Sequence, residues 1–211
     1  MGFSRSTAII VAVYLALTTI IVAVSGAESF SGPNRYGTYP ALALLENGAF
    51  VHPFDVSQPY TGWPPGFPIF MVPFIWIEGG ETLYTMLGVF VLLHLGMGLV
   101  LRRIVEDGLP GFGDLALALL LFNPNSLAAV HNNGADHLSA VLVMATIAAA
   151  YFYLRRPSLV LALAIGALLG TATLVRPVTQ YLIPLLPLAL PLCMLCSGRL
   201  VWRRDVMAGL A

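Results

Sequence analysis

Apolar residues run along this chain in blocks too long and too continuous for the faces of a soluble fold. Stretches near the roughly 20 residues needed to cross a bilayer as helix occur at Thr7–Ser25, Thr82–Leu101, Leu115–Val130, Leu138–Leu154, Ser158–Val175 and Val178–Cys196. A seventh apolar run, Phe67–Ile77, contains Pro68 and Pro73 and is short enough to make a span doubtful on length alone. Between the first two long runs lies a polar, proline-rich segment, Ala27–Glu81. The pattern predicts an all-α, polytopic transmembrane helical bundle of about six spans. Juxtamembrane helices are expected in the first loop, and residues 1–211 form a single membrane domain with no internal repeat.

Composition agrees. The chain is 58% hydrophobic and 9% charged, with mean hydropathy +0.86, whereas soluble domains carry about 25% charged residues. Arginine supplies every basic side chain, and ten bases against ten acids leave no net charge. That balance speaks against nucleic acid as a partner and leaves the lipid bilayer as the first one. Thr7–Val24 followed by Ser25, Gly26 and Ala27 resembles a secretion signal. Its apolar core is long for that role and is read as an uncleaved signal anchor.

Charge orients the spans. If Phe67–Ile77 does not cross, Arg5, the Arg102–Arg103 and Arg155–Arg156 pairs, and Arg199, Arg203 and Arg204 share one side. By the positive-inside rule that side is cytoplasmic. If the run does cross, both central pairs move outside, so it is expected to lie in the outer interface with Trp63 and Trp76 at its ends. The chain is then multi-pass, with a cytoplasmic N-terminus and its polar loops on the extracytoplasmic face.

Three outer elements carry candidate chemistry. In the first loop, Arg35 and Tyr36 sit near a lipid headgroup, and a short helix is expected from Ala41 to Asn47, capped by Gly48. Pro64, Pro65 and Gly66 then set either a helix start or a rigid platform. In the second loop, His131, Asn132, Asn133, Asp136 and His137 crowd together. Asp136 at a helix start reads as a cap or, at a membrane boundary, as a functional acid. Arg176, outside despite the charge rule, calls for an anionic partner, either Asp136 or a lipid phosphate. His94, inside an apolar run, is expected to hydrogen-bond between helices. No histidine spacing is diagnostic of a metal, Cys193 and Cys196 read as small hydrophobes, and no cofactor or metal is indicated.

The order of these features resembles the N-terminal membrane module of the GT-C glycosyltransferases: one span, a long loop with arginine–tyrosine and a short helix ending in glycine, then Pro-Pro-Gly, an interfacial helix, an aspartate after the third span and Leu-Val-Arg-Pro after the fifth. The nearest similarity is to protein O-mannosyltransferases and the aminoarabinose transferase of lipid A, over about residues 5–190. The resemblance implies transfer of a sugar from a polyprenyl-phosphate donor to a lipid, glycan or protein hydroxyl on the extracytoplasmic face. A first-loop carboxylate would act as base and a cation would stabilise the departing phosphate. Residue by residue, Asp136 matches the second-loop acid, Arg176 the phosphate-binding base, and Arg35 and Tyr36 the end of the first-loop motif. The acid that the family places about four residues before the tyrosine is missing, since Gly32, Pro33 and Asn34 stand there. Glu28 lies upstream and Asp55 downstream, either entering the site only if the loop folds differently, and Asp55 is the substitute candidate. Family members also continue beyond six spans. These departures keep a second expectation open, a non-catalytic membrane subunit that binds lipid-linked sugar or a partner enzyme.

Overall fold

The structure, a computed structural model, describes residues 4–25, 35–52, 55–59, 64–78, 84–131 and 134–196. Among them nine α-helices occur: α1 (Arg5–Ser25), α2 (Arg35–Asn47), α3 (Gly66–Glu78), α4 (Tyr84–Gly108), α5 (Gly113–Leu121), α6 (Pro124–His131), α7 (Ala135–Arg155), α8 (Leu159–Val175) and α9 (Leu182–Cys196). Two short strands, β1 (Val51–His52) and β2 (Asp55–Pro59), pair antiparallel, with Val51 opposite Pro59 and His52 opposite Asp55. That small ladder was absent from the expectation of an all-α chain, because so few residues carry no readable alternation.

Three helices are long and apolar enough to cross a membrane: Arg5–Val24, Tyr84–Gly108 and Ala135–Arg155. The chain is a helical membrane protein. The expected third span, Leu115–Val130, is not continuous. It breaks into α5 and α6, which are bent by 53° and could cross only as one broken span. The cause is local. Asn123 turns its side-chain oxygen back to accept from the backbone N–H groups of Asn125 (2.9 Å) and Ser126 (3.2 Å). Pro124 stands first in α6, where its missing N–H costs nothing. The fifth and sixth expected runs form α8 and α9, both shorter than a full span. A 3-10 turn, Pro177–Tyr181, takes the start of the sixth run.

The chain divides into two compact units, Met1–Leu138 and Ser139–Ala211. In the first, α4 packs on α5, α2 on α3, and α1 on α5. Tyr14, Leu117 and Leu121 are fully buried there, with Ile10, Val91, Leu95 and Leu99 packed around them. Close approach requires Gly98, since a Cβ on it would fall 2.9 Å from Leu117 Cδ1. In the second unit, Ala150, Tyr153, Ile165 and Leu190 form the core. Ser158 caps α8 by accepting from the Leu161 N–H at 3.2 Å.

One end of the first unit is held by a carboxylate. Asp114, in the first turn of α5, accepts from Arg102 Nε (2.6 Å), Thr7 Oγ1 (2.6 Å), Ser4 Oγ (2.9 Å) and Ser6 Oγ. It therefore joins the start of α1 to the end of α4. Beside it, Glu106 accepts from the N–H groups of Gly111 and Gly113, each at 3.0 Å. Gly111 adopts φ +90, a conformation that favours glycine.

Candidate functional site

Phe90, His94 and His137 meet towards the other end of α4. Phe90 lies about 18 Å of helix away from Arg102, at about 1.5 Å per residue. From α3, Phe70 stacks on Phe90 with ring centroids 5.6 Å apart and planes 7° from parallel. α3 buries Phe67, Pro68, Met71 and Ile75 and leaves Trp76 exposed. Its 13 residues give about 20 Å of helix, short of the roughly 30 Å hydrocarbon thickness. α2 begins at Arg35, earlier than the expected Ala41, and runs through Pro40. The proline removes one intrahelical bond without ending the helix, and Gly48, at φ +67, donates its N–H to the Leu44 carbonyl (2.9 Å) as the expected cap.

Behind Phe90 lies a buried polar cluster. His94 is fully buried and its Nδ1 lies 2.9 Å from the Tyr14 hydroxyl, a hydrogen bond between α4 and α1. The expected interhelical role of His94 is therefore observed. Its partner Tyr14 went unrecognised, although a tyrosine in an otherwise apolar run was the available signal. His137, from the first turn of α7, sets its ring edge-on to both His94 (5.6 Å) and Phe90 (5.1 Å). Its Nε2 lies 3.3 Å from the Phe90 carbonyl oxygen. His131, in the last turn of α6, places Nδ1 2.7 Å from the Leu127 carbonyl oxygen.

His131 and His137, expected to face substrate in an outer loop, are thus both buried, at 7% and 3% exposure. Asp136 differs from its neighbour: it is exposed in the first turn of α7. Asp55 stands opposite His52 in the hairpin. It accepts from Ser57 Oγ (2.6 Å), Ser57 N–H (3.1 Å) and Gln58 Nε2 (2.8 Å). These donors, led by the Ser57 hydroxyl, hold its carboxyl below the ordinary aspartate value of 3.8. Of Arg35 and Tyr36 only the backbone, at the start of α2, falls within the described residues. Glu28, Trp63, Asn132 and Asn133 lie outside them.

Arg176 belongs to the second unit. Its extended backbone (φ −141, ψ 113) ends α8, as the residue before Pro177 is biased to do. Its carbonyl accepts from the Thr179 hydroxyl (2.8 Å) and N–H (3.1 Å). The side chain is half-buried. Among the described residues, no group of three or more His, Cys, Asp or Glu side chains is placed to hold a metal ion.

The fold and this cluster define a helical membrane protein with buried histidines at positions 94, 131 and 137. No family model, curated protein or solved structure matches the chain.

Proposed function

We propose that the chain is a multi-pass membrane glycosyltransferase that moves a sugar from a polyprenyl-phosphate donor to a hydroxyl of a lipid, glycan or protein acceptor, with Asp136 as the general base. The observation that carries this reading is the exposed position of Asp136 in the first turn of α7, next in sequence to the buried His137. Asp55 is engaged by three donors that weaken it as a base. The family resemblance, carried by the sequence pattern alone, would assign Arg35 and Tyr36 to the donor headgroup and Arg176 to its phosphate.

The six-span, N-in arrangement belongs to the same proposal. It counts α5 with α6 as one broken span and α8 and α9 as short ones. It is supported by the Asp114 junction, which holds the start of α1, next to Arg5, at the same end as Arg102. α3 packs at the opposite end of α4, as an extracytoplasmic platform requires.

The engagement of Asp55, together with Gly32, Pro33 and Asn34 where the family has an acid, favours a second reading. Here the chain is a non-catalytic subunit that holds lipid-linked sugar or a partner membrane enzyme. Consumption of polyprenyl-phosphate sugar by membranes carrying wild type, Asp136→Asn or Asp55→Asn separates the two. Transfer lost in Asp136→Asn alone is the expected result. Equal turnover in all three sinks the carboxylate assignment, and binding without turnover in wild type selects the subunit reading.

A further inference from the structure

The third apolar run breaks at a depth where polar groups are most costly. α5 and α6 meet at a 53° bend, and Asn123, Pro124 and Asn125 at that bend are exposed. Two measures put the bend midway through the membrane. α5 has nine residues, so about 14 Å of helix separates the bend from the Asp114 junction, half of the roughly 30 Å hydrocarbon thickness. Phe122 and Leu127, one on each side of the bend, pack against the cluster of Tyr14, Leu117 and Leu121. Tyr14 is itself the tenth residue of the 21-residue α1.

The backbone of the corner is satisfied and its side chains are not. Asn123 Oδ1 accepts from the N–H groups of Asn125 and Ser126, the Asn123 carbonyl accepts from the Leu127 N–H (2.9 Å), and Pro124 has no N–H. The first turn of α6 thus keeps no spare backbone donor for an anion. What remains are the amide groups of Asn123 and Asn125, neutral and exposed. Polar corners persist at membrane depth only where protein buries them or water reaches them. The exposure of both asparagines selects water.

The flanking faces set the direction of entry. The exposed residues of α5 are large and apolar, Leu115 at 53% and Leu119 at 65%, as a surface against lipid requires. The exposed positions of α6 are Pro124, Asn125 and Ala128, which offer lipid little apolar bulk. The end of α5 is also closed by the hydrogen bonds of Asp114 to Ser4, Thr7 and Arg102.

We propose that Asn123, Asn125 and the exposed face of α6 line a water-filled recess, open at the end of α6 remote from Asp114, which brings water and neutral polar groups to the middle of the membrane. That this end is extracytoplasmic rests on the six-span, N-in reading; the recess does not.

The test uses the full chain in membrane vesicles, with Cys193→Ser and Cys196→Ser as background. Asn125→Cys, Ala128→Cys and Leu119→Cys are treated with a membrane-impermeant sulfonated maleimide in right-side-out and in inverted vesicles. Asn125→Cys and Ala128→Cys are expected to react from the extracytoplasmic side roughly tenfold faster than Leu119→Cys, since a thiol in apolar surroundings resists ionisation. Equal reaction at Asn125 and Leu119, fast or slow, overturns the recess. Reaction that appears only after solubilisation overturns it too, and means that lipid or a partner chain covers the corner. Fast reaction of Asn125→Cys in inverted vesicles alone keeps the recess and overturns the N-in reading. Deuterium exchange of the Asn125 side-chain amide in the wild-type chain in nanodiscs repeats the test without a substitution at the corner. Exchange within minutes is expected, and a protected amide overturns the recess.

Discussion

Nε of Arg102 lies 2.6 Å from Oδ1 of Asp114, and both side chains are about a quarter exposed. This ion pair is one part of a junction in which the same carboxylate also accepts from Thr7, Ser4 and Ser6. Asp114 is shared by four donors, while Arg102 supplies one of them, so the two ends of the pair are unequal. Asp114→Ala strands donors from α1 and α4 together and should cost about 1–3 kcal/mol. Arg102→Ala should cost less, since three hydroxyls still satisfy the carboxylate. Thermal unfolding of the two variants in detergent checks the order, and a larger loss for Arg102→Ala would refute it.

The Tyr14 hydroxyl joins α1 to α4 through His94 Nδ1 at 2.9 Å and, more weakly, the Val91 carbonyl oxygen at 3.5 Å. Tyr14→Phe keeps the ring and removes the hydroxyl. Bonds of this kind inside membrane proteins are worth about 0.6 kcal/mol on average. A double-mutant cycle with His94→Leu should return a coupling of about 0.5–1.5 kcal/mol. Simple additivity of the two substitutions is the outcome that rules the contact out.

Gly113 and Gly96 make a matched pair of tests. A Cβ on Gly113 would lie 2.7 Å from Glu106 Oε2 and 2.9 Å from the backbone oxygen of Arg102, whereas one on Gly96 meets nothing within 4 Å. Side-chain atoms can yield, but the Arg102 carbonyl is fixed in α4. Gly113→Ala should therefore destabilise by about 1–3 kcal/mol, and Gly96→Ala should be neutral or stabilising by up to about 1 kcal/mol. Equal effects at the two positions would mean that the tight α4–α5 turn is misplaced.

Asp55 gives a pH dependence with a definite sign. Its carboxyl is held below the ordinary 3.8, first by the Ser57 hydroxyl and then by the Ser57 N–H. A depressed folded value means that the hairpin's hydrogen bonds contribute fully above the unfolded value and are lost as pH falls through the folded one. The window thus lies below about pH 4. Ser57→Ala should move the Asp55 titration upwards, read from its side-chain carboxyl 13C shift. An unchanged midpoint would show that the Ser57 hydroxyl is not its donor.

The amino-acid sequence by itself determined the class of this protein, because bilayer-scale apolar blocks and scarce charge depend only on composition along the chain. It also determined the short helix capped by Gly48, where a positive φ favours glycine, and the non-spanning length of α3. The break of the third run was written there too, in Asn123 and Pro124, but hydropathy averaged over the run hid it. Tertiary structure alone decided the rest. Asp114 meets Ser4, Ser6 and Thr7 across separations of 107–110 residues, and no local pattern encodes a partner so distant. His131, Asp136 and His137 look alike as neighbours in a polar loop. The fold buries the two histidines against α4 and α6 and leaves the aspartate exposed, because burying an uncharged imidazole with one anchored nitrogen costs far less than burying a carboxylate.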